Sequence, residues 1–92
     1  MIAENLKQLE ATLLSKGHDY GKEFEVFEFA ADYAQIDVEK VFMVMIAIKV
    51  ARLRNLQGKQ AKNESIADTL KDLAGYSIIY KSFLDKNLDT KE

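Results

Sequence analysis

Cysteine and proline are absent from this chain, and histidine occurs once. Without cysteine there is no disulfide framework and no thiolate metal site. A single histidine makes no His-rich zinc centre within one chain. The lack of disulfides fits a reducing compartment. A basic excess is missing too: the formal net charge is -2 and the pI about 5.4. Binders of duplex nucleic acid carry a strong positive balance, so no duplex partner is expected. Long apolar runs are also lacking. The longest, Val41 to Ile48, is closed by Lys49 and is far too short to span a bilayer, so no membrane partner is expected. The opening Met-Ile-Ala-Glu-Asn has neither the basic stretch nor the apolar run of a secretory signal. The cytoplasm is the expected location.

What remains is a chain of 92 residues, enough for a single helical domain over residues 1–92. A domain this short hides a small share of its surface and has a thin stability margin, so association with further copies is expected. Apolar residues return at helical spacing, and no stretch alternates as a strand would. Ile2, Leu6, Leu9 and Leu13 share a face of a helix from about Ile2 to Lys16. Gly17 follows, where a left-handed residue ends a helix. After the polar loop Gly17 to Gly21, a second helix is predicted over Glu23 to Ala34, with Phe24, Phe27 and Ala31 on one side.

Asp37 is placed to cap a third helix from Val38 to about Leu56, which Gly58 stops. That helix is apolar nearly all round between Val41 and Ile48. Such a helix is central in a bundle, lies at a subunit interface, or does both. After a polar turn over Gln57 to Asn63, Ser65 and Asp68 resemble a capping box with a short acid. A fourth helix then runs to about Lys86, with Ile66, Leu70, Leu73, Ser77, Tyr80 and Leu84 inward. Asp89 to Glu92 should fray. The fold class is all-α, a four-helix up-down bundle expected to be oligomeric.

Charge clusters in one place. Lys49, Arg52, Arg54, Lys59 and Lys62 form a basic segment able to hold a small anion. Lys49 and Arg52 share a face of the third helix, while Glu64, Asp68 and Asp72 rise along one side of the fourth. Antiparallel pairing would bring Lys49 or Arg52 towards Asp68 or Asp72. Such a cluster is either a structural ion-pair network or a site whose cations meet phosphate oxygens. In the second case the acids take a divalent metal or the ligand's base and sugar.

The loop His18-Asp19-Tyr20-Gly21 is a second candidate: histidine can donate, accept or titrate, and a tyrosine beside glycine can stack on a flat ligand. Its plainer reading is a turn capped by Asp19. Tyr76 and Tyr80 add aromatic surface, and most of the tyrosines should pack in the core or an interface. Gly75 within the fourth helix costs about 1 kcal/mol relative to alanine, which close helix packing would explain. No serine has a partner pattern suggesting a triad, and no phosphate-cradling Walker motif occurs.

The stretch Lys49-Val-Ala-Arg52-Leu-Arg54-Asn55, followed by Glu64-Ser-Ile-Ala-Asp68-Thr-Leu-Lys-Asp72-Leu-Ala-Gly75-Tyr76, resembles a phage-associated helical family. That family is described as nucleotide-modification-associated. Lys16-Gly-His18-Asp19-Tyr20-Gly21 resembles its N-terminal loop. The family is in turn similar to the MazG-type all-α nucleoside triphosphate pyrophosphohydrolases, which hold Mg²⁺ on acidic helix residues. Their paired Glu-x-x-Glu and Glu-x-x-Asp elements are only half present. Glu25-x-x-Glu28 stands on the second helix, but the fourth spaces its acids by four, and the third offers cations.

The resemblance implies a phage-type nucleotide-binding protein that binds without turnover and would sequester a nucleotide immune signal of the host, linear or cyclic. Its location would then be the host cytoplasm. The ligand set would be Lys49, Arg52, Arg54, Asp68, Asp72, His18, Asp19, Tyr20 and Tyr76, with no cofactor and no assigned catalytic residue. One alternative is a Mg²⁺-dependent pyrophosphohydrolase using Glu25, Glu28, Asp68 and Asp72 as metal ligands. The other is a non-enzymatic interaction module or host inhibitor that docks through Val41 to Ile48.

Overall fold

Helix α1, Ile2–Lys16, opens on strong helix formers with Glu4 in its first turn, where an acid meets the positive end of the helix dipole. The computed structural model describes residues 1–16, 24–59 and 65–91. Three further helices follow: α2 Glu25–Ala34, α3 Val38–Leu56 and α4 Ile66–Lys91. Among the described residues there is no strand, so the chain is all-α. The chain falls into two compact units, Met1–Val41 and Phe42–Glu92, with α3 unbroken across the boundary.

In the first unit, α2 buries Phe27 and Ala31, four residues apart and therefore on one face, with Phe24 half-buried beside them. On α1, Leu9 and Leu13 are half-buried, whereas Ile2 and Leu6 of the same stripe stay exposed. Gln35 ends α2 in the left-handed region, at φ 58. Its N–H donates to the Asp32 carbonyl at 3.1 Å, and the Ile36 N–H donates to Ala31 at 2.9 Å. Together these bonds make a Schellman cap. The Asp37 carbonyl then accepts from Lys40 and Val41, starting α3 after only three connecting residues.

In the second unit, Phe42 is fully buried. Its ring stacks on Tyr80 at 5.2 Å and meets Phe83 at 5.5 Å in a tilted arrangement. Lys49, about two turns further along α3, reaches Asp72, about two turns back along α4. Residue numbers rise on one helix as they fall on the other, so these parts of α3 and α4 run antiparallel.

Helix α4 begins at the anticipated box. The Ser65 hydroxyl donates to the Asp68 carboxylate at 2.9 Å and accepts from the Asp68 N–H at 3.0 Å. Aspartate is shorter than the usual glutamate, and the return bond from the Ser65 N–H to Asp68 is accordingly long, at 3.5 Å.

Two expectations for α4 are corrected. The helix continues to Lys91 instead of ending near Lys86 and fraying from Asp89; Glu92 lies outside the described residues. Its inner face is only partly as expected. Leu73, Tyr80 and Leu84 are half-buried as anticipated, but Ile66, Leu70 and Ser77 are exposed, and Thr69, fully buried, with Tyr76 and Phe83, half-buried, takes their place. Thr69 was overlooked because it carries a hydroxyl. That hydroxyl donates to the Ser65 carbonyl at 3.0 Å, so it enters the interior already satisfied. On α2 the helix starts at Glu25; Glu23 lies outside the described residues.

The two positive-φ positions yield a paired prediction. Gly58 closes α3 at φ 69 with open space where a side chain would project. Gly58→Ala should therefore lower stability by about 1 kcal/mol through backbone strain alone. Gln35 tolerates that strain already, so Gln35→Gly should raise stability by about 0.5–1 kcal/mol. Urea unfolding of the two variants checks both signs. Shifts in the same direction would reject the account.

Candidate functional site

The second unit carries the charged cluster. Helix α3 presents Lys49 with only 14% of its side chain exposed, and its ammonium sits 2.9 Å from the Asp72 carboxylate, 36% exposed. Partial burial strengthens the attraction above that of a surface pair, but both groups also lose water, so the net gain is modest. The lysine stem packs along the helix pair while its charged end meets the acid. This is the pairing anticipated from antiparallel helices.

Asp68 is occupied differently. Its carboxylate accepts from the Ser65 hydroxyl and so serves the start of α4. Arg52 and Arg54 are exposed on α3, and Arg54 lies in its last turn. There a cation also answers the negative end of the helix dipole. Lys59 is exposed just beyond Gly58. Tyr76 is half-buried on α4, one turn beyond Asp72. Of the proposed ligand set, the structure brings Lys49 and Asp72 into contact and gives Asp68 a capping role.

His18, Asp19 and Tyr20 lie outside the described residues, as do Lys62 and Glu64. Glu25 and Glu28 sit in the first turn of α2, in the other unit from Asp68 and Asp72. Among the described residues no group of three or more His, Cys, Asp or Glu is arranged to hold a metal ion. Among them, too, no helix is long and apolar enough to cross a membrane.

The structure also displays surface that the spacing analysis did not single out. On α2, Phe29 and Tyr33 are exposed and stack on each other at 6.2 Å. The signal was available: both stand one turn apart on the side away from Phe27 and Ala31. It was missed because one apolar face had already been assigned to that helix.

Chemically, the α3 turn from Lys49 to Arg54 can offer guanidinium and ammonium donors to an anion, while Asp72 holds Lys49 in place. No curated protein and no solved structure matches the chain. A family model described as "Nucleotide modification associated domain 1" matches residues 16–81, well over half of the 92 residues, and spans α2, α3 and the start of α4 as far as Lys81. The chain therefore belongs to the family described as Nucleotide modification associated domain 1.

Proposed function

We propose that this chain is a phage-type nucleotide-binding protein that holds its ligand without turnover, sequestering a nucleotide immune signal in the cytoplasm of the host. It would work as one helical domain over residues 1–92, a four-helix up-down bundle in an oligomer. The observation that carries this reading is a cationic turn inside the family domain. Lys49 is steadied against α4 by Asp72 at 2.9 Å, and Arg52 and Arg54 are exposed within the next two turns. Phosphate oxygens would meet Lys49 and Arg52, which share a face of α3, or Arg54 on the other side of that helix, with Arg offering a planar fork of donors. Tyr76 would supply a flat surface for the base.

Hydrolysis of the MazG type is the less favoured reading. It needs several carboxylates around Mg²⁺, whereas here Asp68 is engaged at the helix cap and Asp72 with a lysine. Titration calorimetry against nucleoside mono- and triphosphates and cyclic mono- and dinucleotides tests the proposal. At least one should bind, and at least one of Arg52→Glu and Arg54→Glu should weaken it about tenfold or more, the loss of one charge-assisted contact with added repulsion. Absence of binding across the panel would reject the reading. Release of monophosphate and pyrophosphate in Mg²⁺ would replace it with the enzymatic one.

A further inference from the structure

Helix α2 has apolar residues on two sides. One side is buried through Phe27 and Ala31. The other carries Val26, Phe29 and Tyr33, all exposed, with Phe29 at 70% and Tyr33 at 84%. Their spacing of three and four is that of a seam between packed helices. Glu25, Glu28 and Asp32, themselves spaced by three and four, run along one edge of this stripe. A stacked aromatic pair costs little conformational entropy when it is covered, which is why such residues anchor protein interfaces.

Helix α3 carries a stripe of matching period. Met43, Ala47 and Val50 are exposed, Met43 at 60% and Val50 at 51%, and the same spacing continues to Lys40 at one end and Arg54 at the other. Here the apolar seam is closed by cations, with Glu39 the acid at its N-terminal edge. Small Ala47 at the middle of the stripe gives a bulky ring room to approach.

We propose that the α2 stripe of one copy docks on the α3 stripe of a second copy of this chain. Charge selects this pairing. Two α2 stripes placed face to face would set acids against acids, and two α3 stripes would gather Lys40 and Arg54 from both copies. Like charges brought together are repelled, whereas α2 against α3 joins an acidic edge to basic ends. Period selects it as well, because side chains spaced by three and four on both helices interdigitate. The α2 stripe from Val26 to Tyr33 is about 10 Å long, within the roughly 21 Å between Lys40 and Arg54. Such a contact joins unlike surfaces, and it closes into a dimer or a ring when repeated by symmetry. The assignment extends the expectation of an oligomer by naming its surfaces; it shares Arg54 with the nucleotide reading, whereas Phe29 belongs to the interface alone.

Sedimentation equilibrium over 1 to 100 µM tests it. The parent chain should associate, and Phe29→Asp, a change at an exposed position, should raise the dissociation constant at least a hundredfold while circular dichroism keeps its helical signal. Glu28→Lys with Asp32→Lys should weaken association at least tenfold, as should Lys40→Glu with Arg54→Glu. All four changes together should recover most of it. A monomeric parent at 100 µM would overturn both the surfaces and the oligomer. An oligomer indifferent to Phe29→Asp, or the failure of the fourfold variant to recover, would overturn the surfaces alone. Calorimetry of Phe29→Asp with nucleotides reports on the binding reading separately.

Discussion

Phe42→Ala should remove about 3–5 kcal/mol of stability, the range for deleting a buried phenylalanine. The ring is fully buried and forms aromatic contacts with both Tyr80 and Phe83. Its loss would open a cavity and remove both of these ring contacts between α3 and α4. A small domain has only about 5–15 kcal/mol in total. Each kcal/mol shifts the melting temperature of a chain this size by roughly 4–8 °C. Thermal denaturation should therefore show a fall of well over 10 °C, or no folded baseline at all. Phe42→Leu, which refills much of the volume, should recover more than half of the loss. A drop of less than 1 kcal/mol in Phe42→Ala would mean that the aromatic cluster is not central to the second unit.

Breaking the Lys49–Asp72 pair should have unequal consequences depending on which partner goes. Asp72→Ala leaves a lysine that is only 14% exposed without its carboxylate, and the desolvated charge should cost about 2 kcal/mol. Lys49→Met keeps the apolar stem and leaves behind the acid with the greater access to water, so its cost should stay below about 1 kcal/mol. The same substitutions bear on nucleotide binding in the opposite sense. Asp72→Asn removes a negative charge beside Lys49 and should tighten an anionic ligand about threefold or more while lowering stability. Lys49→Met should weaken that ligand while hardly changing stability. If affinity follows stability in both variants, the pair is a structural fastener and not part of a binding surface.

Much of this architecture was legible from spacing alone. The start of α1 and the limits of α3 follow from apolar period, with Gly58 closing α3. The Ser65–Asp68 cap was readable because its residues lie within one turn and need no tertiary information. Lys49 meeting Asp72 was foreseeable for a related reason, since a short turn between helices sets them antiparallel.

What stayed hidden depends on context that a hydropathy pattern lacks. Thr69 counts as polar until its hydroxyl is seen bonded to the Ser65 carbonyl, and that error turned the inner face of α4 towards Leu70 and Ser77. Asp68 carries the same charge as Asp72, so charge alone could not reveal which of the two acids Lys49 would meet. Spacing did place Phe24, Phe27 and Ala31 on the covered side of α2, but it gave no notice of the second apolar side at Phe29 and Tyr33.

The reversal after α2 carries a mechanical consequence. From Gln35 to Asp37 the backbone is tied back to Ala31 and Asp32 and forward to Lys40 and Val41. None of those bonds crosses from Ile36 to Asp37, so rotation about that one junction leaves both sets intact, while the left-handed Gln35 has few neighbouring conformations into which it could relax. Any bending between α2 and the opening turn of α3 should accordingly gather at the Ile36–Asp37 junction, with the chain on either side moving as a stiff end.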